Sequence, residues 1–257
     1  MELGITGRTA VVCASTSGLG EAVAVALAAE GANVVVCGRR AEQARRIAAA
    51  LPRAVGVGVD LLDEEGPQAL LTATEQAFGP ADILVLNGPG PRPARVTELR
   101  EEELGAAADS LLTVHHRLVS RALPHMREQG WGRILAIGSS AVVTPINDLA
   151  LSGIGRTALA AYLKMLAAEV APDGVTVNLL LPGRIATDRV RRLDAARADR
   201  DGRTEAEVRA QSAAGIPMGR YGEPDEFGAT AAFLCGEPAS YLTGIAVRCD
   251  GGQAPVL

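Results

Sequence analysis

Residues 8–31 read RTAVVCASTSGLGEAVAVALAAEG. The stretch begins as a short apolar run of strand character. It ends as apolar residues repeating at helical spacing and stopping at Gly31. Between them lies CASTSGLG, a turn of small and hydroxyl-bearing residues. Gly18 and Gly20 stand where the helix opens, with Leu19 between them. Glycine there lets backbone approach a diphosphate, and the helix N-terminus offers free N–H groups and a positive dipole end. Ser15, Thr16 and Ser17 add hydroxyl donors. A plain tight turn uses the same residues. The position between a strand and a helix, at the head of an alternating pattern, is what points to a dinucleotide site.

The alternation runs on to the end of the chain. NVVVCG, AVGVGVD, ADILVLN, GRILAIGSS, GVTVNLLLP and GIAVRCDGG read as further strands. Helical patterns cover AEQARRIAAAL, roughly 64–79, a long stretch to about 129, about 152–171, one polar segment after the sixth strand, and EPDEFGATAAFLCG. Near-continuous apolar strands separated by helices imply a mostly parallel seven-stranded sheet with helices on both faces. The connections are short and no linker or repeat appears. Residues 1–257 therefore read as one doubly wound, Rossmann-type α/β domain. The arginine- and acid-rich stretch 187–215 follows the sixth strand at a carboxyl-edge loop, the place for a substrate lid. Most of its charges are expected to face water.

Composition narrows the function. Hydrophobic residues make up 48% and charged residues 21%, which suits a well-buried core. A net charge of −5 gives no basic field for nucleic acid or an anionic membrane. No apolar run is long enough to span a bilayer, and MELGITGRTAVV lacks the pattern of a signal peptide. Four cysteines, Cys13, Cys37, Cys235 and Cys249, show no CxxC spacing. They read as buried hydrophobes in a reducing cytoplasm, and no metal site is expected. A small-molecule substrate is the partner left. At the end of the second strand stands CGRRAE. An NAD site usually has an acid there for the ribose 2′-hydroxyl. Arg39 and Arg40 instead suit the charge and shape of a 2′-phosphate, which favours NADP(H) over NAD(H).

With ASTSGLG, GRR, VDL, DILVLNGPG, ALPHM, GWGRILAIGSS, VTVNLLLPGRIATD, GRYGEPDEFGATAAFLCG and CDGG in this order, the sequence resembles the short-chain dehydrogenase/reductase family along nearly its whole length. It is most similar to the 3-oxoacyl-carrier-protein-reductase-like branch. The resemblance implies that the backbone around Thr16–Leu19, with Gly18 and Gly20, binds the diphosphate. It implies that Arg39 meets the 2′-phosphate, and that Asp60, beside Leu61, meets the adenine. Asn87, followed by Gly88, would shape the adenosine-ribose wall. Pro182, Gly183, Ile185 and Thr187 would hold the nicotinamide end. Turn or capping roles are the plainer alternative at each. The family also implies a homotetramer or homodimer, and ALAAYLKMLAAEV has small and apolar residues on more than one face.

The family's chemistry uses a tyrosine, a lysine four residues on, a serine and an asparagine. Alignment puts the serine at Ser139, with Ser140 as understudy. Thirteen residues onward, the tyrosine place holds Ser152 and the lysine place Arg156. The asparagine place holds Leu111, and Ala14 replaces the first glycine of the turn. A phenol with a pKa near 10 can be poised by a neighbouring cation. A serine hydroxyl is a far weaker acid, and a guanidinium does not deprotonate. Substitute acids are scarce. Asp148, beside Asn147, would need a raised pKa, and a turn or helix-capping role is the plainer reading. One of His115 and His116 could face the cleft, though a helix-surface or subunit-contact role is the simpler expectation; His125 reads as structural.

Three functions remain: an NADP(H)-linked oxidoreductase on a carbonyl or alcohol, using Ser139, Ser152 and Arg156; a non-redox isomerase, dehydratase or cyclase on the same scaffold; and a non-catalytic nucleotide-binding or partner subunit. Fold alone does not choose among them.

Overall fold

Alternate residues of the central strands belong to two separate cores. Val12, Val34 and Val85 pack with Leu27, Ala44, Phe227 and Ala231. Val11, Val35 and Leu84 pack with Leu70, Leu118, Leu159 and Leu163. A sheet whose two faces are both apolar must be covered on both sides, and helices cover each. The computed structural model describes residues 1–255.

The strands are β1 (Thr9–Val12), β2 (Asn33–Gly38), β3 (Ala54–Gly58), β4 (Ile83–Leu86), β5 (Gly132–Ile137), β6 (Val175–Pro182) and β7 (Ala246–Cys249). They form one seven-stranded sheet in the order β3-β2-β1-β4-β5-β6-β7. Every pairing is parallel, so the expectation of a mostly parallel sheet is met in full. The helices are α1 (Gly18–Ala29), α2 (Ala41–Ala49), α3 (Gly66–Phe78), α4 (Glu101–Ala108), α5 (Val114–Glu128), α6 (Ala150–Val170), α7 (Asp188–Asp201), α8 (Glu205–Ala214) and α9 (Pro224–Leu234). The chain order reverses between β1 and β4. Crevices that bind ligands lie at such switch points, outside the carboxyl ends of the strands. No helix among the described residues is long and apolar enough to cross a membrane.

Two segments differ from the sequence reading. The long helical stretch after β4 is α4 and α5 joined by a π-helical turn, Asp109–Thr113. The charged stretch 187–215 is two helices, α7 and α8. Thr187 and Thr204 cap them by accepting from Val190 N and Glu207 N.

Candidate active site and nucleotide cradle

The turn after β1 is built tightly. Ala14 has φ 47°, the only positive φ outside glycine among the described residues. Gly18 follows at φ 61°. A Cβ on Gly20 would lie 2.6 Å from the Ala14 carbonyl oxygen and 2.9 Å from Asn87 Nδ2. Asn87 donates to that same carbonyl at 3.3 Å, tying the end of β4 to the turn. Ser17 precedes α1 without capping it, so no side chain takes the first-turn N–H groups. Free N–H groups over a glycine-lined turn fit a dinucleotide's diphosphate. L-alanine in the left-handed region costs about 1–2 kcal/mol. Ala14→Gly is therefore expected to raise the melting temperature by about 2 °C, measured by calorimetry.

The hydroxyls around the turn divide. Ser15 does not serve as a ligand donor: its buried hydroxyl donates to Val12 O at 2.6 Å and accepts from Cys37 N at 3.0 Å. Arg40 Nη2 donates to the Thr16 carbonyl at 3.0 Å and to Thr16 Oγ1 at 3.2 Å, clamping the turn. Arg39 is exposed and makes no hydrogen bond or ion pair, leaving its guanidinium open at the end of β2. Asp60 Oδ1 accepts from Leu62 N at 3.1 Å, a turn contact that holds Leu61 between them. At the far side, a Cβ on Gly183 would lie 2.6 Å from Asp250 Cα, so only glycine fits beside Pro182. Ile185 is buried and bridges to Gly222. The Thr187 methyl lies 3.6 Å from where a Cβ on Gly18 would be, so the end of β6 meets the head of α1.

The second group of candidates converges at the end of β5. Ser139 begins a short turn and accepts from Ala141 N at 3.1 Å, which leaves its hydroxyl proton free. In α6, Ser152 and Arg156 lie one turn apart on a single face and are both buried. Arg156 Nε donates to Ser152 Oγ at 3.4 Å, and Nη1 donates to the Ile137 carbonyl at 2.6 Å. Burial, then the charge of Arg189, pushes the Arg156 guanidinium down to about 10, still cationic at neutral pH. Leu111 is fully buried in the π turn, 2.7 Å from where a Cβ on Gly155 would sit. It fills the asparagine's place with hydrocarbon.

The substitute acids fare differently. Asp148 caps nothing: α6 starts without a side-chain cap, and Asp148 pairs with Arg95 at 3.6 Å on the surface. His116 is exposed and meets the Tyr162 hydroxyl at 3.1 Å. His115, expected on a helix surface, is buried instead. Its Nδ1–H donates to the Leu111 carbonyl at 2.9 Å, so Nδ1 carries the proton, and Nε2 is left buried without a partner. Nε2 lies 3.9 Å from where a Cβ on Gly88 would sit. Burial, aided by the Arg156 charge, holds His115 below the ordinary 6.5. The unfolded chain then takes up the proton first, so stability is lost as pH falls below about 6.5. Comparing urea midpoints near pH 7.5 and 5.5 should show a smaller acid loss in His115→Asn than in wild type. Among the described residues no His, Cys, Asp or Glu cluster could hold a metal.

Comparison with known proteins agrees with this geometry. The family model described as Enoyl-(Acyl carrier protein) reductase matches residues 13–254. The D-beta-hydroxybutyrate dehydrogenase of Cupriavidus necator is 32% identical over 253 residues, covering 96% of this chain and 98% of that protein. The 3-oxoacyl-[acyl-carrier-protein] reductase FabG of Aquifex aeolicus is 30% identical, covering 98% and 100%. The crystal structure of L-sorbose reductase from Gluconobacter frateurii, complexed with NADPH and L-sorbose, superposes with a TM-score of 0.95 at 30% identity over 100% of both chains.

Proposed function

Because the chain belongs to the short-chain dehydrogenase/reductase family, we propose that it is an NADP(H)-linked oxidoreductase acting on a small carbonyl or alcohol compound. The observation that carries this reading is the cradle: uncapped N–H groups of α1, Gly18 and Gly20, and Arg39 unpaired at the end of β2. NADPH, when bound, supplies the hydride, and the protein orients and stabilises charge. The backbone of Thr16–Gly20 holds the diphosphate, and Arg39 holds the 2′-phosphate. Asp60, Leu61, Asn87 and Gly88 line the adenosine side, and Pro182, Gly183, Ile185 and Thr187 the nicotinamide side.

Ser139 and Ser152 hydrogen-bond the substrate's carbonyl oxygen. Arg156 donates to Ser152 Oγ, which turns the serine's own proton outward, and its charge faces the oxyanion that develops. The proton that completes the alcohol comes from water, since no phenol stands at residue 152. The helices spanning 187–215 close over the substrate. A second reading, a non-redox reaction on the same scaffold, draws on the missing phenol and ammonium. It expects nucleotide binding without NADPH oxidation.

The test is direct. Titration should blue-shift or quench NADPH fluorescence, and NADPH should be consumed against one member of a ketone and oxoacid panel. No binding at about 1 mM cofactor refutes both readings. Ser139→Ala is expected to lower kcat by about tenfold or more with NADPH affinity unchanged.

The protein is further proposed to assemble as a homotetramer or homodimer in the cytoplasm, where its four free thiols stay reduced. The exposed side chains of Ile154 and Met165 on α6, and the open edge of β7 with Tyr241 nearby, support an interface. Light scattering coupled to gel filtration should give a mass above the 26.5 kDa of one chain.

A further inference from the structure

Two arginines lie deeply buried in this protein, and only one has a counter-charge. Arg133 stacks on Trp131 and faces Glu237 at 3.7 Å. Arg156, with 9% of its surface exposed, makes no ion pair; its partners are a hydroxyl and a carbonyl, and its Nη2 has none. Removing a guanidinium from water without an anion is unfavourable, so a persistent buried cation points to an anion that arrives later.

The lid brings a second cation against the loop after β4, which His115 also meets. Three of its other arginines pair with carboxylates: Arg191 with Asp188 at 2.9 Å, Arg197 with Asp201 at 3.3 Å and Arg200 with Asp201 at 3.2 Å. Arg189 makes no ion pair or hydrogen bond. Its guanidinium is laid against the loop after β4, with Nη1 2.7 Å and Cζ 2.8 Å from where a Cβ on Gly90 would be. It is also the charge that acts on Arg156. His115 faces the same loop, with its buried, unpartnered Nε2 3.9 Å from where a Cβ on Gly88 would sit, and burial holds its pKa below the ordinary value. Among the described residues no carboxylate pairs with Arg156.

We infer that Arg156 and Arg189 together bind a carboxylate carried by the substrate, which makes the substrate a short oxo acid or hydroxy acid. Arg156 Nε is 3.4 Å from Ser152 Oγ. A carboxylate on Nη2 and a carbonyl on Ser152 are then carried on carbons one or two bonds apart, the spacing of 2-oxo and 3-oxo acids. The reaction balances: hydride from NADPH to the carbonyl carbon and a proton from water to its oxygen give the hydroxy acid and NADP⁺.

This inference rests on the proposed oxidoreductase reading, so its test separates the two. Acetoacetate and its uncharged methyl ester are titrated calorimetrically into the protein, with and without NADP⁺. Wild type should bind the acid about tenfold or more tightly than the ester. Arg189→Ala should erase that preference, whereas Arg191→Ala, which removes an arginine already paired with Asp188, should keep it. Equal affinity for acid and ester, no binding of acetoacetate at on the order of 10 mM, or a preference that survives Arg189→Ala overturns the inference. So does an Arg189→Ala variant whose loss falls on inorganic pyrophosphate and not on acetoacetate, which would assign the cations to the cofactor. If the ester is reduced as well as the acid, the oxidoreductase reading stands and the carboxylate pocket falls. If acetoacetate binding depends on Arg189 while NADPH is never oxidised, the pocket stands and the reading falls.

Discussion

A Ser152→Tyr, Arg156→Lys double variant is expected to reduce the same carbonyl substrate about 10²–10⁴ times faster than wild type, the usual contribution of a positioned general acid. The scaffold is ready for the pair. Helix α6 runs unbroken from Ala150 to Val170, and residues 152 and 156 already touch at 3.4 Å. A phenol at 152 reaches further than the serine hydroxyl, and a lysine at 156 lowers its pKa from near 10 by its charge. The guanidinium cannot give up a proton, whereas the ammonium can. Initial rates of NADPH oxidation check this, alongside a thermal melt showing that the variant is folded. A folded double variant with unaltered turnover would show that residues 152 and 156 do not face the reacting carbonyl.

The second large effect lies in the cradle. Gly20→Ala places a methyl 2.6 Å from the Ala14 carbonyl oxygen and 2.9 Å from Asn87 Nδ2 and the Ser15 Cα. Most of these neighbours are backbone, which has no rotamer to yield. Such overpacking costs about 1–3 kcal/mol of stability. It also displaces the turn whose N–H groups meet the diphosphate, so NADPH affinity should drop by about tenfold or more. Gly105→Ala is the control, because a Cβ there meets nothing within 4 Å. It should leave NADPH affinity unchanged and add about 0.5–1 kcal/mol of stability in mid-helix. Fluorescence titration reads the affinities. An undiminished affinity in Gly20→Ala would place the diphosphate elsewhere.

The strand–helix order was legible because parallel strands buried on both faces are written as short apolar runs, and those runs delimit everything between them. Ser139, Ser152 and Arg156 were singled out by alignment with the family's motifs, and the structure brings Ser152 and Arg156 into contact. What spacing does not carry is helix phase across an irregular turn. Adjacent histidines point about 100° apart, and the π turn Asp109–Thr113 inserts an extra residue just before them. Apolar periodicity does not reveal that insertion, so His115 read as a surface residue and is in fact buried. The arginines of the stretch 187–215 pose the same difficulty. The cap at Thr187 sets the phase of α7, and that phase turns Arg189 toward Gly90 while Arg191 pairs at the surface. Ser15 differs again. Hydroxyl chemistry marks it as a donor to a ligand, but the Cys37 N–H and the Val12 carbonyl occupy it on both sides.

We propose hydride transfer on this short-chain dehydrogenase/reductase scaffold, with Ser152 and Arg156 at the places where the family resemblance implies tyrosine and lysine. The most direct measurement incubates the protein with NADPH deuterated at the transferable C4 position and an oxo acid, and weighs the product by mass spectrometry. A hydroxy acid carrying the deuterium at the former carbonyl carbon is the expected result. NADPH bound but left unoxidised, or product without deuterium, would contradict it.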